Sequence, residues 1–360
     1  MSRSSYYIAH VVPGLEAVAE AEIVGALEAE RPFRVLREFD ERTSMMIFRY
    51  AGSPSALLTL GTVEDVFALA AESDTVPSSR AGLAAVRTVV ARGPAFAGAV
   101  DRAFTVRPHR KGKTTFRVIA RKSGDHAFRR VDLQKAVELG VVDRLPAWRL
   151  VEDDAQIEVW VSLIGAHLIL GIRLSDGTMR QRDYRKASLP AALKPTVGRA
   201  MALLSNPLDD DVVLDPMCGS GTILIERAQA ARYRLLLGGD RDEAAVTAAR
   251  ENIGTRYKPV EIHRWDARQL PLEDDSVSAI LTNLPFGKQI GTPTENRLLY
   301  PALLAEWVRV LRDGGRMVLL TGDKALLTRT VQQHPRLTIA RQMPVIVRGY
   351  RATVMVVTMP

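Results

Sequence analysis

Val212-Val213-Leu214-Asp215-Pro216-Met217-Cys218-Gly219-Ser220-Gly221-Thr222 is the stretch that decides the fold. Three aliphatic residues make a short strand, an acid closes it, and small residues lead into a helical stretch, Gly221–Ala231. Small residues at such a turn let the backbone approach a ligand closely. The string lacks the Gly-Lys-Ser/Thr ending of a phosphate loop. It also lacks the third glycine of a dinucleotide fingerprint, and Asp215 and Glu226 are unfavourable near a pyrophosphate. A zwitterionic ligand without phosphate suits it, with Asp215 placed to meet a cationic group.

The pattern repeats outward from this turn. Val212–Leu214, Leu235–Gly239, Val260–Arg264, Ala279–Leu281, Met317–Leu320 and Val354–Thr358 are strand candidates. Gly221–Ala231, Glu243–Ile253, Leu298–Val310 and Lys324–Gln333 read as helices between them. Such alternation implies an α/β fold, a doubly wound and mostly parallel sheet with its ligand at the carboxyl ends of the strands. Leu337–Met343 and Arg351–Thr358 are close enough in sequence to pair antiparallel at one edge.

Acids recur where that geometry wants them. Asp240 ends the second strand and can accept both hydroxyls of a ribose. Asp266 follows the third and can accept a hydrogen bond from an adenine amino group, with Arg241 or Ala267 flanking the ring. Pro216, Cys218, Gly219, Ser220, Gly221 and Thr222 would line the same ligand. Cys218 is the sole cysteine of the chain and is expected to be a packed small residue rather than a nucleophile.

The fourth strand leads into Asn283-Leu284-Pro285-Phe286-Gly287. An amino group on a base is a poor nucleophile, because its lone pair is delocalised into the ring. Two acceptors that hold its hydrogens turn the lone pair towards an electrophilic methyl group. The Asn283 side-chain oxygen and the Leu284 carbonyl are suited to this, and Asn283 also borders the cofactor. Pro285 fixes the backbone. Phe286 offers a ring for stacking a flipped base, and Gly287 gives it room.

The front half is a different kind of sequence. Tyr6–Val12, Phe33–Leu36 and Thr43–Phe48 read as strands, Leu15–Glu28, Ser55–Leu60 and Val63–Ala71 as helices. Beyond them, Leu83–Arg92 and Arg129–Leu139 read as helices. Ala103–Val106, Thr115–Arg121, Ile157–Leu163 and His167–Ile172 read as strands, with a turn at Ser175-Asp176-Gly177. The net charge is +8, and residues 102–135 hold eleven Lys/Arg against two Asp/Glu. Arg180, Arg182, Arg185 and Lys186 form a second basic cluster. Arg110, Lys111, Lys113, Arg121, Lys122 and Arg185 are the expected phosphate contacts. His109 and His126 have no ligand constellation around them, so no metal is expected.

No run of eighteen apolar residues occurs, so no membrane span is expected. The first residues, Met1–Gly14, lack the apolar core and cleavage site of a secretory leader. With one cysteine and no leader, the reading is a cytoplasmic protein.

The 215–222 and 283–287 strings resemble motifs I and IV of the Rossmann-like amino-group methyltransferases. The lead-in Arg182-Asp183-Tyr184-Arg185-Lys186-Ala187-Ser188-Leu189-Pro190-Ala191-Ala192-Leu193-Lys194-Pro195 resembles that of the THUMP-domain RNA methyltransferases. Phe116–Val118 with His126–Phe128 resembles a THUMP strand and loop, and Tyr6–Leu15 the start of their ferredoxin-like domain. The resemblance implies S-adenosylmethionine (SAM) as cofactor, tRNA as partner and a monomer. It divides the chain into a ferredoxin-like domain (1–71), a THUMP domain (72–178) and a Rossmann-like domain (179–360). The Asn-Leu-Pro-aromatic form is similar to enzymes that make N2-methylguanosine at position six of the acceptor stem, with Phe286 where Tyr is more frequent. The alternatives are N2-guanine methylation at another tRNA or rRNA site, adenine-N6 methylation, and a non-catalytic RNA-binding adaptor. Nothing in the pattern specifies a small activating partner.

Overall fold

A computed structural model describes residues 5–40, 43–190, 192–287 and 292–360. Ala191 of the lead-in lies outside the described residues. The chain divides into two compact units, Met1–Arg180 and Gln181–Pro360.

The N-terminal unit is built on one eight-stranded sheet. Its elements are β1 (Ser5–Val11), α1 (Glu16–Leu27), β2 (Glu30–Asp40), β3 (Thr43–Tyr50), a 3-10 turn (Pro54–Thr59), β4 (Val63–Ser73), α2 (Ala81–Arg92) and α3 (Phe96–Val106). They continue as β5 (Thr115–Ser123), α4 (Arg130–Arg144), β6 (Arg149–Leu150), β7 (Ile157–Ile164), β8 (His167–Arg173) and the short α5 (Gly177–Gln181). The sheet order is β2-β3-β1-β4-β8-β7-β5-β6. All pairs are antiparallel except β5 with β7 and β5 with β6.

Three expectations are corrected here. Val63–Ala71 is strand β4, not a helix. Every residue from Val63 to Ala71 is buried, so the run carries neither period and reads ambiguously. It pairs with β1 on one side and β8 on the other. Its two acids are satisfied or shielded in place: fully buried Asp65 accepts from Arg173, Arg180 and Ser175. The expected border after residue 71 falls inside this strand, which joins the two halves of the sheet. Ala103–Val106 is the last turn of α3, not a strand. Phe96, Ala99, Val100 and Ala103 are its buried stripe, spaced for a helix. Finally, Ser175-Asp176-Gly177 does not close on a turn alone. Asp176 accepts from the Thr178 amide at 2.9 Å and opens α5.

The C-terminal unit contains α6 (Pro195–Leu204), β9 (Val212–Asp215), α7 (Thr222–Ala230), β10 (Leu235–Asp240), α8 (Glu243–Ile253) and β11 (Val260–Arg264). After these come β12 (Val277–Asn283), α9 (Pro293–Val310), β13 (Leu311–Thr321), α10 (Lys324–Gln332), β14 (Thr338–Val347) and β15 (Tyr350–Thr358). The sheet order is β11-β10-β9-β12-β13-β15-β14. The first five strands run parallel, and β15 and β14 add antiparallel at one edge. This is the expected doubly wound sheet, and the order reverses between β9 and β12. Ligands of such sheets bind outside the carboxyl ends of the strands at that reversal.

The core explains the pattern. Leu214, Ile280, Leu319 and Met355 from the strands pack with Tyr300, Leu303, Leu304 and Trp307 of α9. That helix begins five residues before the expected Leu298. Thr292 and Glu295 form a capping box around Pro293, which fixes the start. Among the described residues no single helix is long and apolar enough to cross a membrane.

Candidate active site

The sheet brings the expected residues to one edge. Asp215 ends β9 beside β12, where Ile280 pairs with Leu214. The Thr282 hydroxyl donates to Asp215 Oδ1 at 2.8 Å, and the next residue is Asn283. Asp240 lies at the end of β10, two residues past the Gly238 that pairs with Asp215.

The 215–222 turn is built to stay open. The Cys218 amide donates to the Gly239 carbonyl at 2.9 Å and the Gly221 amide to the Cys218 carbonyl at 2.8 Å. Gly219 and Gly221 take φ of 51° and 80°, which side chains adopt at a cost. Asp240 Oδ2 accepts from the Gly219 amide at 3.0 Å, and its Oδ1 from the Asp242 amide at 3.1 Å. Asp240 thus shapes the loop as well as edging it. The indole of Trp265 donates to the Pro216 carbonyl at 3.1 Å and fills the space a side chain at Gly239 would need. Pro216 therefore sits behind the turn, and Ser220 and Thr222 are buried at the start of α7.

The electrostatics of the turn are unusual. Burial pushes the Asp215 carboxyl up to about 7; hydrogen bonds from Thr282 and Met217 oppose this, and the charge of Asp240 adds to it. A buried acid held half-neutral is set to ionise when a cation arrives. Burial, with Asp215 and Asp240 beside it, also pushes the Cys218 thiol up, so it is no nucleophile.

Asp266 is placed differently from the other two acids. It is exposed and paired with Arg268 at 2.6 Å, which holds its carboxyl below the usual range. Adenine recognition by this carboxylate would have to share it with Arg268. Ala267 is buried beneath, and Arg241 is exposed.

The Asn283 turn is held from behind. Its backbone joins β13 through the Leu284 amide and Leu320 carbonyl at 2.9 Å. The Pro285 carbonyl accepts from Asn296 Nδ2 and from the Tyr300 hydroxyl, each at 2.8 Å. Tyr300 is fully buried and also meets Thr321 Oγ1 at 3.1 Å. The Phe286 ring lies over Gly322, where a Cβ would sit 2.8 Å from its Cγ. Gly287 has φ 71° and lies 2.9 Å, by its missing Cβ, from the Pro293 nitrogen. Its role is thus to let the turn pack on the start of α9, rather than to make room for a base. Behind these bonds, Asn283 Oδ1 is buried and, like Asn296 Oδ1, has no hydrogen-bond partner among the described residues. A lone buried acceptor is costly unless a ligand donates to it.

Several residues of this constellation escaped the sequence reading. Thr282, Asn296, Tyr300 and Thr321 carry no motif. The signal was faint: Asn296 occupies the α9 stripe that otherwise holds Tyr300, Leu303, Leu304 and Trp307. Asn252 on α8 was also missed. Its carboxamide bonds both the amide and the carbonyl of Ala187, at 2.8 and 2.9 Å, and the Ser220 carbonyl at 3.0 Å. The lead-in is thereby tied to the turn. Glu226 is part of the same tie: it is fully buried and accepts from Arg182 at 3.0 Å and Tyr184 at 2.8 Å.

The six expected phosphate contacts are not equivalent. Arg110 is paired with Asp154 at 3.0 Å. Arg121 lies over the Trp160 ring, 4.9 Å from its centre. Lys122 donates to the Gly124 carbonyl at 3.0 Å and approaches His126. Lys111 and Lys113 are exposed, and neither side chain bonds to another described residue. Arg185 is half-buried and belongs to the C-terminal unit. His109 contacts Thr114 at 2.8 Å. Among the described residues no group of three or more His, Cys, Asp or Glu is placed to hold a metal ion.

The residues fit SAM. Asp215 is a buried acid that would meet its ammonium, Asp240 an acid at the strand end that would meet its ribose, and the open face at Gly219, where a Cβ would touch nothing, leaves space beside them.

Comparison with known proteins agrees. The UPF0020 family model, described as RMKL-like methyltransferase domain, matches residues 182–351. A mouse protein named tRNA (guanine(6)-N(2))-methyltransferase THUMP3 is 32% identical over 231 residues, 60% of this chain. The chain spans only 45% of that relative's length. A Thermus thermophilus protein named tRNA (guanine(6)-N2)-methyltransferase is 33% identical over 246 residues, 65% of this chain and 70% of the relative. The crystal structure of TrmN from Thermus thermophilus superposes with a TM-score of 0.81 at 25% identity and 99% coverage of both chains. On this identity, coverage and shared architecture, the chain belongs to the THUMP-domain tRNA (guanine-N2)-methyltransferase family.

Proposed function

We propose that the chain methylates the exocyclic N2 amine of a guanosine in tRNA, using SAM. The observation that carries this reading is the buried Asn283 Oδ1, without a partner among the described residues, beside the strand end that bears Asp215. When bound, SAM supplies an electrophilic methyl group. The protein's task is then to orient the acceptor. Asn283 Oδ1 and the Leu284 carbonyl accept the two amine hydrogens, which aims the nitrogen lone pair along one direction. Phe286 stacks the flipped base. No side chain at the turn need act as a strong base, since the methylated amine is acidic enough to lose its extra proton to water.

Guanosine six is the proposed position, supported by the names of the mouse and Thermus relatives. The N-terminal unit holds the RNA, with the β2-β3-β1 side of its sheet as the ferredoxin-like part and the β8-β7-β5-β6 side as the THUMP part, joined through β4. Lys111 and Lys113 are the first phosphate contacts to test. Replacing both by Ala should lower the slope of log affinity against log salt by about 1.5, at about 0.7–0.9 per phosphate. An unchanged slope would return both lysines to the solvated surface.

The reading as a whole is tested by titrating the chain with SAM, then incubating it with unmodified tRNA and digesting to nucleosides for mass spectrometry. N2-methylguanosine mapped to one position is expected. N6-methyladenosine would reassign the base, and absence of SAM binding would leave an RNA-binding adaptor.

Tyr300→Phe tests the support of the turn. It removes one of two donors to the Pro285 carbonyl, an interaction worth about 1 kcal/mol. Turnover should fall roughly five-fold, at that energy, while SAM affinity holds. Equal turnover would make Tyr300 a packing residue only.

A further inference from the structure

Arg348 and Arg351 stand at the tip of the β14–β15 hairpin. The register carries this tip to the same sheet edge as the site. Asn283 pairs with Leu320 of β13, and the next residue, Thr321, pairs with Thr353 of β15. Because β15 runs antiparallel, Arg351 and Tyr350 lie beyond that pair, past the carboxyl edge, opposite Ile346 and Val347. Only β13 separates β15 from the strand that bears Asn283.

Both guanidinium groups are exposed, and among the described residues neither side chain makes an ion pair or hydrogen bond. Arg336, before β14 at the opposite edge, is by contrast paired with Asp313. The tip is a two-residue turn in which Arg348 and Gly349 take φ of 53° and 81°. Such turns favour Asn-Gly or Gly-Gly, because left-handed backbone is costly for long side chains. An arginine in that costly conformation, and with no partner among the described residues, points to a ligand outside the chain. Tyr350 is 41% exposed beside it.

We propose that this tip is an RNA contact flanking the pocket, with Arg348 and Arg351 each gripping a backbone phosphate near the nucleotide presented to Asn283. The contact rests on the RNA-methyltransferase reading above. Arginine suits it, since its planar fork binds phosphate oxygens in pairs. The contact lies next to the chemistry, so it serves to hold the strand from which the base is flipped.

The test is the full-length double variant R348N/R351A, assayed with an unmodified tRNA transcript. Asn is favoured at the turn, so thermal stability should match or exceed that of the wild type. KM for tRNA should rise about tenfold, and the salt slope of binding should drop by about 1.5. SAM affinity should be unchanged. R348K/R351K should recover most of the loss, and R336A should behave as wild type. A variant that aggregates while keeping the wild-type salt slope would show that the charges only guard an edge strand, and overturns the proposal. Wild-type KM and slope in a well-folded variant overturn it too, leaving the methyltransferase reading intact. A wild type that binds SAM but no RNA overturns both.

Discussion

Asn283→Ala is expected to cut single-turnover methylation by about 10²–10³-fold, the usual cost of losing one preorganised polar group at a reacting centre. SAM affinity should stay within about two-fold, because the turn is held by other bonds. The Leu284 amide still donates to Leu320, and Asn296 and Tyr300 still hold Pro285. The variant should be as stable as the wild type, or slightly more so. Asn283 Oδ1 is buried without a donor among the described residues, and removing an unsatisfied acceptor relieves a desolvation cost of about 1–3 kcal/mol. Loss of rate without loss of stability is the signature of a group kept for its ligand. Rapid-quench transfer from labelled SAM and a thermal melt measure the two quantities. A near-native rate would remove Asn283 from the mechanism, and a large loss of stability would make it a structural residue.

The reading of the fold from sequence succeeded where period and punctuation agreed. The strand-acid-glycine turn at 212–222, the acids at strand ends and the Asn283 string all lie in the alternating half. There a parallel sheet leaves few arrangements for a βαβ chain. The N-terminal half was less legible for two physical reasons. In β4 burial on both faces removed the alternation that identifies strands, so Val63–Ala71 passed for a helix. In α3 the short string Ala103–Val106 was read apart from Phe96, Ala99 and Val100, which give it its helical spacing.

At the site, residues that touch a ligand announce themselves as motifs, whereas residues that hold them do not. Asn296, Tyr300 and Asn252 act through hydrogen bonds to backbone carbonyls and amides, which any neighbouring sequence supplies. Charge alone does not rank the cations. Arg110, Arg121 and Lys122 look like free cations in a basic run, yet the fold gives them Asp154, Trp160 and Gly124 as partners. Counting charges finds a basic region, but only the fold tells which charges remain available for phosphate.

Asp215→Asn is expected to weaken SAM binding by about 100-fold or more while making the SAM-free protein more stable at pH 8. The reason lies in the carboxyl pushed up to about 7 by burial and by Asp240. An unfolded Asp titrates near 3.9. Between these values the folded chain holds one proton more than the unfolded chain, so stability falls as pH rises through that window and stays reduced above it. Asn carries no charge and escapes the loss, and Thr282 still has an oxygen to donate to. A melting temperature higher by several degrees at pH 8, and little changed at pH 4, follows from the usual scaling for a domain of this size. Binding runs the other way. The ionised carboxylate is the form that meets an ammonium, so wild-type affinity should rise about tenfold per pH unit up to about 7. It should then level off before the ligand's own ammonium deprotonates near 8. The variant should show no such rise. Calorimetric titration at pH 5.5, 6.5 and 7.5 with melts at pH 4 and 8 measures both limbs. Pocket and destabilisation are one feature: the acid that costs the empty fold its stability is the acid that waits for the cation. Wild-type affinity that is flat from pH 5.5 to 7.5, together with a variant that is no more stable at pH 8, would separate the two and remove Asp215 from the cofactor site.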